Sequence, residues 1–339
     1  MKANNSPISA QYHRLFGQAF GLNITLLSVL ATAFVASLFV GRFQHGIDAV
    51  ADPEVMRIII WQVRLPRALL AVIVGGSLGL SGAALQGWLR NPLVDPGIIG
   101  TTATASLGAV VVLYLGLAGA GSFYLPFAGM IGAIIGVVLL FALVRRSEDS
   151  LVFILAGVVI TSFAGAATSL VLNLSPSPFA ALEIVFWLLG SLEGRGFNHV
   201  ALIIVFVVIG WVMLLSTARA LYALSLGEEV AQTLGANLKS MRLKIVTAVG
   251  LCVGSSVAVT GAIGFVGLIA PHIVRPWVKH RADAILVPSL LSGAILLLVA
   301  DIAVRLLPTQ TELKIGVLTA LLGAPFFLWS LNKHRRAIA

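Results

Sequence analysis

Ten near-continuous apolar stretches divide the chain. They fall near residues 22–41, 66–88, 98–117, 123–144, 151–172, 197–215, 244–262, 263–278, 284–304 and 315–331. A run of about 20 apolar residues crosses the roughly 30 Å hydrocarbon core as a helix, and in lipid a helix satisfies its own backbone groups. The pattern therefore predicts an all-α integral membrane protein with about ten transmembrane helices in one domain, residues 22–331. A polar segment, 1–21, precedes it and a basic tail, 332–339, follows. The eighth stretch is short and is interrupted by Pro271.

Two polar interruptions carry local signals. Residues 173–196 read NLSPSPFAALEIVFWLLGSLEGRG and predict a short interfacial helix after the prolines. Phe186 and Trp187 there suit either the headgroup level or packing against neighbouring spans. Residues 217–244 read TARALYALSLGEEVAQTLGANLKSMRLK, the longest polar interruption. Ser225 followed three residues later by Glu228 spells a capping box. Val230 and Leu234 form an i,i+4 apolar pair, Gly235 fits a left-handed helix stop, and Asn237 can cap the next helix. On pattern alone this is either a handle that a partner grips or an ordinary helical loop.

Composition agrees with the pattern. The chain is 59% hydrophobic and 10% charged, against about a quarter charged in soluble domains. Its 34 glycines do not oppose helices here, since small residues let membrane helices approach closely. The single cysteine, Cys252, leaves no internal disulfide or cysteine metal cluster and reads as packing. Residues 1–20 are polar and lack a small-residue cleavage site, so no cleavable signal is expected.

The net charge of +9 follows from topology rather than from nucleic acid. With a cytoplasmic N-terminus, 15 of the 22 Lys and Arg residues fall on inner segments. They run from Lys2 and Arg14 through Arg90, Arg145, Arg146 and the groups at 219–244 and 275–281 to the KHRR tail. This satisfies the positive-inside bias. Both termini and residues 217–244 are then cytoplasmic, and residues 173–196 lie outside. A weak repeat accompanies this: Arg64-Leu65 and Gly76-Ser77 recur as Arg242-Leu243 and Gly254-Ser255, both displaced by 178 residues. With opposite orientations the two segments describe an inverted repeat, a common transporter architecture.

What the spans lack bears on the energy source. Ion-driven carriers generally need ionisable groups near the bilayer midplane, and these spans hold essentially none. Asp301 and Arg305, at i,i+4 near the outer end of the ninth span, read as a local ion pair. No G-x-x-x-x-G-K-[ST] loop occurs. The chain is thus expected to have no ATPase site of its own and to receive energy from a partner, with residues 217–244 as the port. An ion-coupled secondary transporter is the alternative that the missing midplane charges disfavour. A membrane-embedded enzyme is disfavoured by the lack of a His, Asp or Glu cluster. His272, after Pro271, has no second ligand at metal-binding spacing, so no metal site is expected.

Four stretches now combine: Arg64 to Gly100 (RLPRALLAVIVGGSLGLSGAALQGWLRNPLVDPGIIG), Leu226 to Ala236 (LGEEVAQTLGA), Thr260 to Arg275 (TGAIGFVGLIAPHIVR), and Ala300 to Leu307 with Ile315 to Leu331. Together they closely resemble the FecCD family, permease subunits of ATP-binding-cassette importers for iron–siderophore, haem and cobalamin uptake, over about residues 55–333. The resemblance implies a type II importer permease in the cytoplasmic (inner) membrane. Its implied partners are ATPase subunits, a second permease, an extracytoplasmic substrate-binding protein and the lipid bilayer, with no nucleic acid. ATP and Mg would bind the ATPase, and no cofactor is expected on this chain.

The resemblance places the ATPase-coupling contact on Gly227, Ala231, Leu234 and Gly235, beside the capping residues Ser225 and Glu228. It places binding-protein docking on exposed arginines, Arg64, Arg67 and Arg305, whose planar forks engage carboxylates. Read without it, Arg64 and Arg67 also suit headgroup anchoring. The small residues of the second span, Gly75 to Ala84, either line a passage or pack helices. Gln86 either faces that passage or bonds a neighbouring helix. Asn91-Pro92 breaks the chain on the cytoplasmic side, where a gate element is expected. The cargo implied is an iron chelate, a ferric siderophore first, with haem or cobalamin as the alternative. The chain departs from the family at Leu313-Lys314-Ile315-Gly316, where a proline commonly precedes the Ile-Gly pair.

Overall fold

The computed structural model describes residues 7–41, 53–117, 123–144, 149–279, 281–309 and 311–338, and its regular structure there is entirely helical. Arg145, Arg146 and Lys2, used above for orientation, lie outside the described residues. The helices, in chain order, are α1 (Pro7–Phe39), α2 (Pro53–Ile58), α3 (Leu65–Trp88), α4 (Thr101–Tyr114), α5 (Tyr124–Val144), α6 (Ser150–Asn173) and α7 (Pro178–Leu188). They continue with α8 (Phe197–Ser216), α9 (Ala218–Ser225), α10 (Glu228–Thr233), α11 (Leu238–Thr260), α12 (Val266–Val274), α13 (Leu286–Leu306) and α14 (Ile315–Ile338). Among the described residues, seven helical stretches are long and apolar enough to cross a membrane, and three more apolar helices are shorter.

Each predicted span has a helix, but edges differ: α1 begins at Pro7, inside the polar segment expected to precede the first span, and three other differences have identifiable reasons. The second span begins at Pro53 rather than near 66, because α2 runs into α3 through a π-helical turn, Ile59–Arg64. Pro66 has no N–H to donate to the preceding turn, and the wider turn absorbs that loss: Leu65 N–H reaches the Ile60 carbonyl. The final span continues as helix to Ile338, through the expected tail. The eighth span is only nine residues of helix, about 14 Å long, and cannot cross alone. Backbone with left-handed φ at Gly261 (+73°) and Phe265 (+67°) breaks it from α11.

Irregular backbone at membrane depth must find partners within the protein. Ser191 N–H donates to the Thr260 carbonyl at 2.7 Å, and Gly316 N–H reaches the Gly190 carbonyl at 3.3 Å. Residues 189–191, 260–265 and the start of α14 therefore form one junction. A methyl group on Gly316 would overlap the carbonyls of Leu189 and Ala262.

Two buried helices, α3 and α11, form the centre. Helix α3 packs on α13 and α12, and α11 packs on α5 and α4. Counted as spans, the second meets the ninth and eighth, and the seventh meets the fourth and third. In these partners the second set is the first moved by five spans, although α11 also packs closely on α8, whose counterpart α1 barely meets α3. Both short partners, α4 and α12, also start from a left-handed N-cap, Gly100 and Phe265.

Candidate functional site

The segment between α8 and α11 is two short helices, and this corrects the expected capping box. Ser225 closes α9, and its hydroxyl donates to the Tyr222 carbonyl at 2.6 Å. The N-cap of α10 is Gly227, at φ +124° with no side-chain cap. Helix α9 forms because residues 218–225 are amphipathic: Leu221, Ala223 and Leu224 are buried. Leu221 sits over Gly87, near the end of α3. The pattern at 217–225 contains this helix, but its few polar residues read as loop.

The other signals of the segment hold. Ala236 N–H donates to the Ala231 carbonyl and Gly235 N–H to the Gln232 carbonyl, each at 2.9 Å. With Gly235 at φ +78° this is a Schellman stop, which glycine makes at least cost. Asn237 Oδ1 accepts the Ser240 N–H at 2.9 Å and starts α11. Ala231 is fully buried, while Leu226 (52%), Val230 (44%) and Leu234 (63%) are exposed in i,i+4 steps. The result is a stiff knuckle with an apolar outer face.

Glu228 does not turn back to cap its own helix. Its carboxylate takes Nη2 of Arg242, on α11, at 2.7 Å. The knuckle is thus bonded to a central helix, and the neighbouring loop adds Arg281, 5.6 Å above the Tyr222 ring.

On the same side of the molecule, Gln86 ties three elements together. Its Nε2 donates to the Val94 carbonyl at 3.2 Å, and its Oε1 accepts from Arg275. It is buried, and in this structure its polar groups are used in bonds to neighbouring elements. Asn91 Oδ1 accepts the Leu93 N–H at 2.9 Å, and Asp95 Oδ1 accepts the Gly97 N–H at 2.9 Å to start the 3-10 turn Pro96–Ile99. Burial pushes the Asp95 carboxyl above the usual range, against the lowering effect of that bond. Asn91-Pro92 is therefore a fixed turn, with Pro96 behind it against Gly267.

The small residues of α3 are packing surfaces. A methyl on Gly75 would overlap the Gly293 carbonyl, one on Gly79 the Ser289 carbonyl, and one on Gly82 the Gly267 carbonyl. Three helices thereby approach at backbone distance.

The opposite end of α3 carries the predicted arginines, and their exposure is corrected. Arg64 is 5% and Arg67 7% exposed, and the Arg305 side chain is 9% exposed. Arg67 Nε bonds Asp301 Oδ1 at 2.8 Å, and its Nη1 bonds Glu312 Oε2 at 3.0 Å. Arg305 Nη2 meets Asp301 Oδ2 at 2.9 Å, the predicted i,i+4 pair. Arg305 Nη1 also donates to the Ser37 carbonyl at 2.9 Å, and Arg64 Nη1 to the Leu38 carbonyl at 2.9 Å. Both cations therefore satisfy orphan carbonyls at the C-terminus of α1, where positive charge is favoured. The burial follows from acidic partners on distant elements, Asp301 and Glu312, which local reading of the Arg64 region could not join to it.

Two further charges on this face escaped sequence reading. Lys314, standing where the family proline is expected, bonds Glu193 at 2.8 Å and ties the start of α14 to the loop after α7. Nearby, Arg195 has a buried Nε with no hydrogen-bond partner among the described residues. Burial holds its guanidinium below the usual arginine range. No group of three His, Cys, Asp or Glu residues able to hold a metal occurs among the described residues; His272 packs edge-on to Phe326.

Comparison with known proteins fits this geometry. The FecCD transport family matches residues 28–333. The chain is 38% identical over 344 residues to the ABC transporter permease protein YvrB of Bacillus subtilis (strain 168), covering 95% of this chain and 96% of that protein. It is 37% identical over 280 residues to the vitamin B12 import system permease protein BtuC of Citrobacter koseri, covering 82% and 84%. A solved ABC transporter assigned to the metal-chelate type, in an inward-facing conformation, superposes with TM-score 0.84 at 34% identity, covering 92% of this chain and 99% of that one. This chain belongs to the FecCD transport family and is the membrane-spanning permease of an ABC importer.

Proposed function

We propose that the permease works by alternating access, driven through the α9–α10 knuckle, and that its cargo is a metal chelate. An ABC permease implies ATPase partners and a second permease. The observation that carries the reading is the stopped helix α10, with Leu226, Val230 and Leu234 outward and Glu228 bonded to Arg242. An apolar face outside the membrane needs a protein cover, and a bonded knuckle passes on a push that a slack loop would absorb. The knuckle and both termini are cytoplasmic, as the positive-inside bias supports. ATP and Mg are bound by the ATPase.

The face around Arg67, Arg305 and Arg195 receives the substrate-binding protein. Arg67 docks by exchanging Glu312, whose side chain is 20% exposed, for a carboxylate of that protein. Arg64 and Arg305 act from behind by holding the end of α1.

For the cargo, similarity to vitamin B12 permeases favours a cobalamin-type chelate. A ferric siderophore is the second reading, which the family resemblance supports. Uptake of labelled cobalamin, haem and ferric siderophores into vesicles holding the full complex and its binding protein decides between them. ATP-dependent uptake of a metal chelate is expected. Uptake driven by a proton gradient without the ATPase would overturn the mechanism.

A further inference from the structure

A cleft opens at membrane depth between α5, α8 and α11. Its cavity volume is about 150 Å³, between Ile134 and Val138 on α5, Phe206 on α8, and Thr247, Leu251 and Ser255 on α11. Ile134 and Val138 are 55% and 59% exposed, so the cleft is open to the surrounding hydrocarbon. The Ser255 hydroxyl is already used, donating to the Leu251 carbonyl of its own helix at 2.5 Å. An occupant there has to be apolar.

A charge stands about one turn before the first α11 residue that lines the cleft, Thr247. Lys244 shares a helix face with Thr247, Leu251 and Ser255, at i, i+3, i+7 and i+11. It is exposed and forms no hydrogen bond or ion pair among the described residues. Lys239 and Arg242 stand on the preceding turns, and Arg242 is already paired with Glu228. At 1.5 Å per residue, Lys244 lies about 16 Å from Ser255 along the axis. Half of a roughly 30 Å hydrocarbon core is about 15 Å. Lys244 at headgroup level and the cleft lining from Thr247 to Ser255 together span about the depth of one leaflet.

We propose that this cleft binds one acyl chain of an anionic phospholipid, with its phosphate on the Lys244 ammonium. Basic groups at the inner end of a cleft between membrane helices are suited to anionic headgroups. The site matters for coupling by its position. Helix α11 leaves the knuckle at Asn237, two turns before Lys244, so the lipid wedges the moving knuckle's own helix against α5 and α8.

The test uses the complete transporter in nanodiscs of equal phosphatidylglycerol and phosphatidylcholine, with native mass spectrometry of retained lipid. The wild type is expected to retain phosphatidylglycerol about fivefold over phosphatidylcholine. Lys244→Gln should bring that ratio to parity. Leu251→Trp, which fills the cleft and leaves Lys244 in place, should lose the retained lipid. Ile134→Phe, at a half-exposed site on a different helix, should do the same if Leu251→Trp fails to fold. Equal retention of both lipids by the wild type would overturn the proposal, as would unchanged retention in the filled variants. A cysteine at 134 that cross-links to a second copy of the chain would assign the cleft to a permease contact and also overturn it.

Discussion

Glu228 and Arg242 meet at 2.7 Å across the join between α10 and α11. One partner is half exposed and the other nearly buried, at 49% and 9%. The pair sits where a displacement of the knuckle enters the core, since Arg242 belongs to the same helix that packs on α3, α4, α5 and α8.

Breaking this pair should separate assembly from transport. Because Glu228→Gln takes the carboxylate from a nearly buried guanidinium, it should lower the melting temperature measurably without unfolding the protein. ATPase subunits should still co-purify, while chelate moved per ATP hydrolysed falls several-fold. Glu228→Lys, facing Arg242, should lower it further. Equal stoichiometry in wild type and both variants would remove the pair from the transmission path.

Gly235 tests the shape of the knuckle rather than its bonding. Its φ of +78° costs a non-glycine residue roughly 1–2 kcal/mol, so Gly235→Ala should weaken ATPase capture severalfold. Proline, fixed near −65° and lacking the N–H that meets Gln232, should abolish capture in pull-downs from detergent. Normal capture by the proline variant would show that the stop plays no part in docking.

Asp301 is fully buried between Arg67 and Arg305. Removing one member of a buried ionic cluster strands the others, typically at about 3–5 kcal/mol. Asp301→Ala should therefore lower thermal stability markedly, and Arg67→Leu in that background should recover part of the loss. A double variant no more stable than the single one would mean that the stranded arginine is not the source of the cost.

Much of this was written locally in the chain, and the misses have a common origin. The stop at Gly235, the cap at Asn237 and the short helix that begins at Pro178 depend on neighbours within about four residues. The capping box at Ser225 failed because Gly227 offered an easier backbone break between two helices. The buried state of Arg67 depends on Asp301 and Glu312, 234 and 245 residues away in the chain. No local pattern reveals such a meeting. The bond between Gln86 and Arg275 is hidden for the same reason. Glycine placement was readable as close packing in general, but the partner of Gly82, Gly267, came only with the fold.

Docking on the far face separates the arginines by their present bonds. Arg195→Glu and Arg67→Glu should each weaken capture of the cognate binding protein about tenfold in low salt, and the Arg195 effect should shrink as salt rises. Glu312→Gln should strengthen capture by releasing the Arg67 fork. Melting monitors the folding loss expected for Arg67→Glu and, because its Nε is buried, for Arg195→Glu as well. Unchanged capture in Arg195→Glu and Glu312→Gln would leave these residues without a docking role.

The most direct test of force entry at the knuckle is photo-cross-linking from position 230 in the assembled transporter. A photoreactive amino acid replacing the exposed Val230 should form an adduct with the ATPase subunit, with a yield that changes when ATP is added. Adducts with lipid alone, or with a protein on the opposite face of the membrane, would contradict the account.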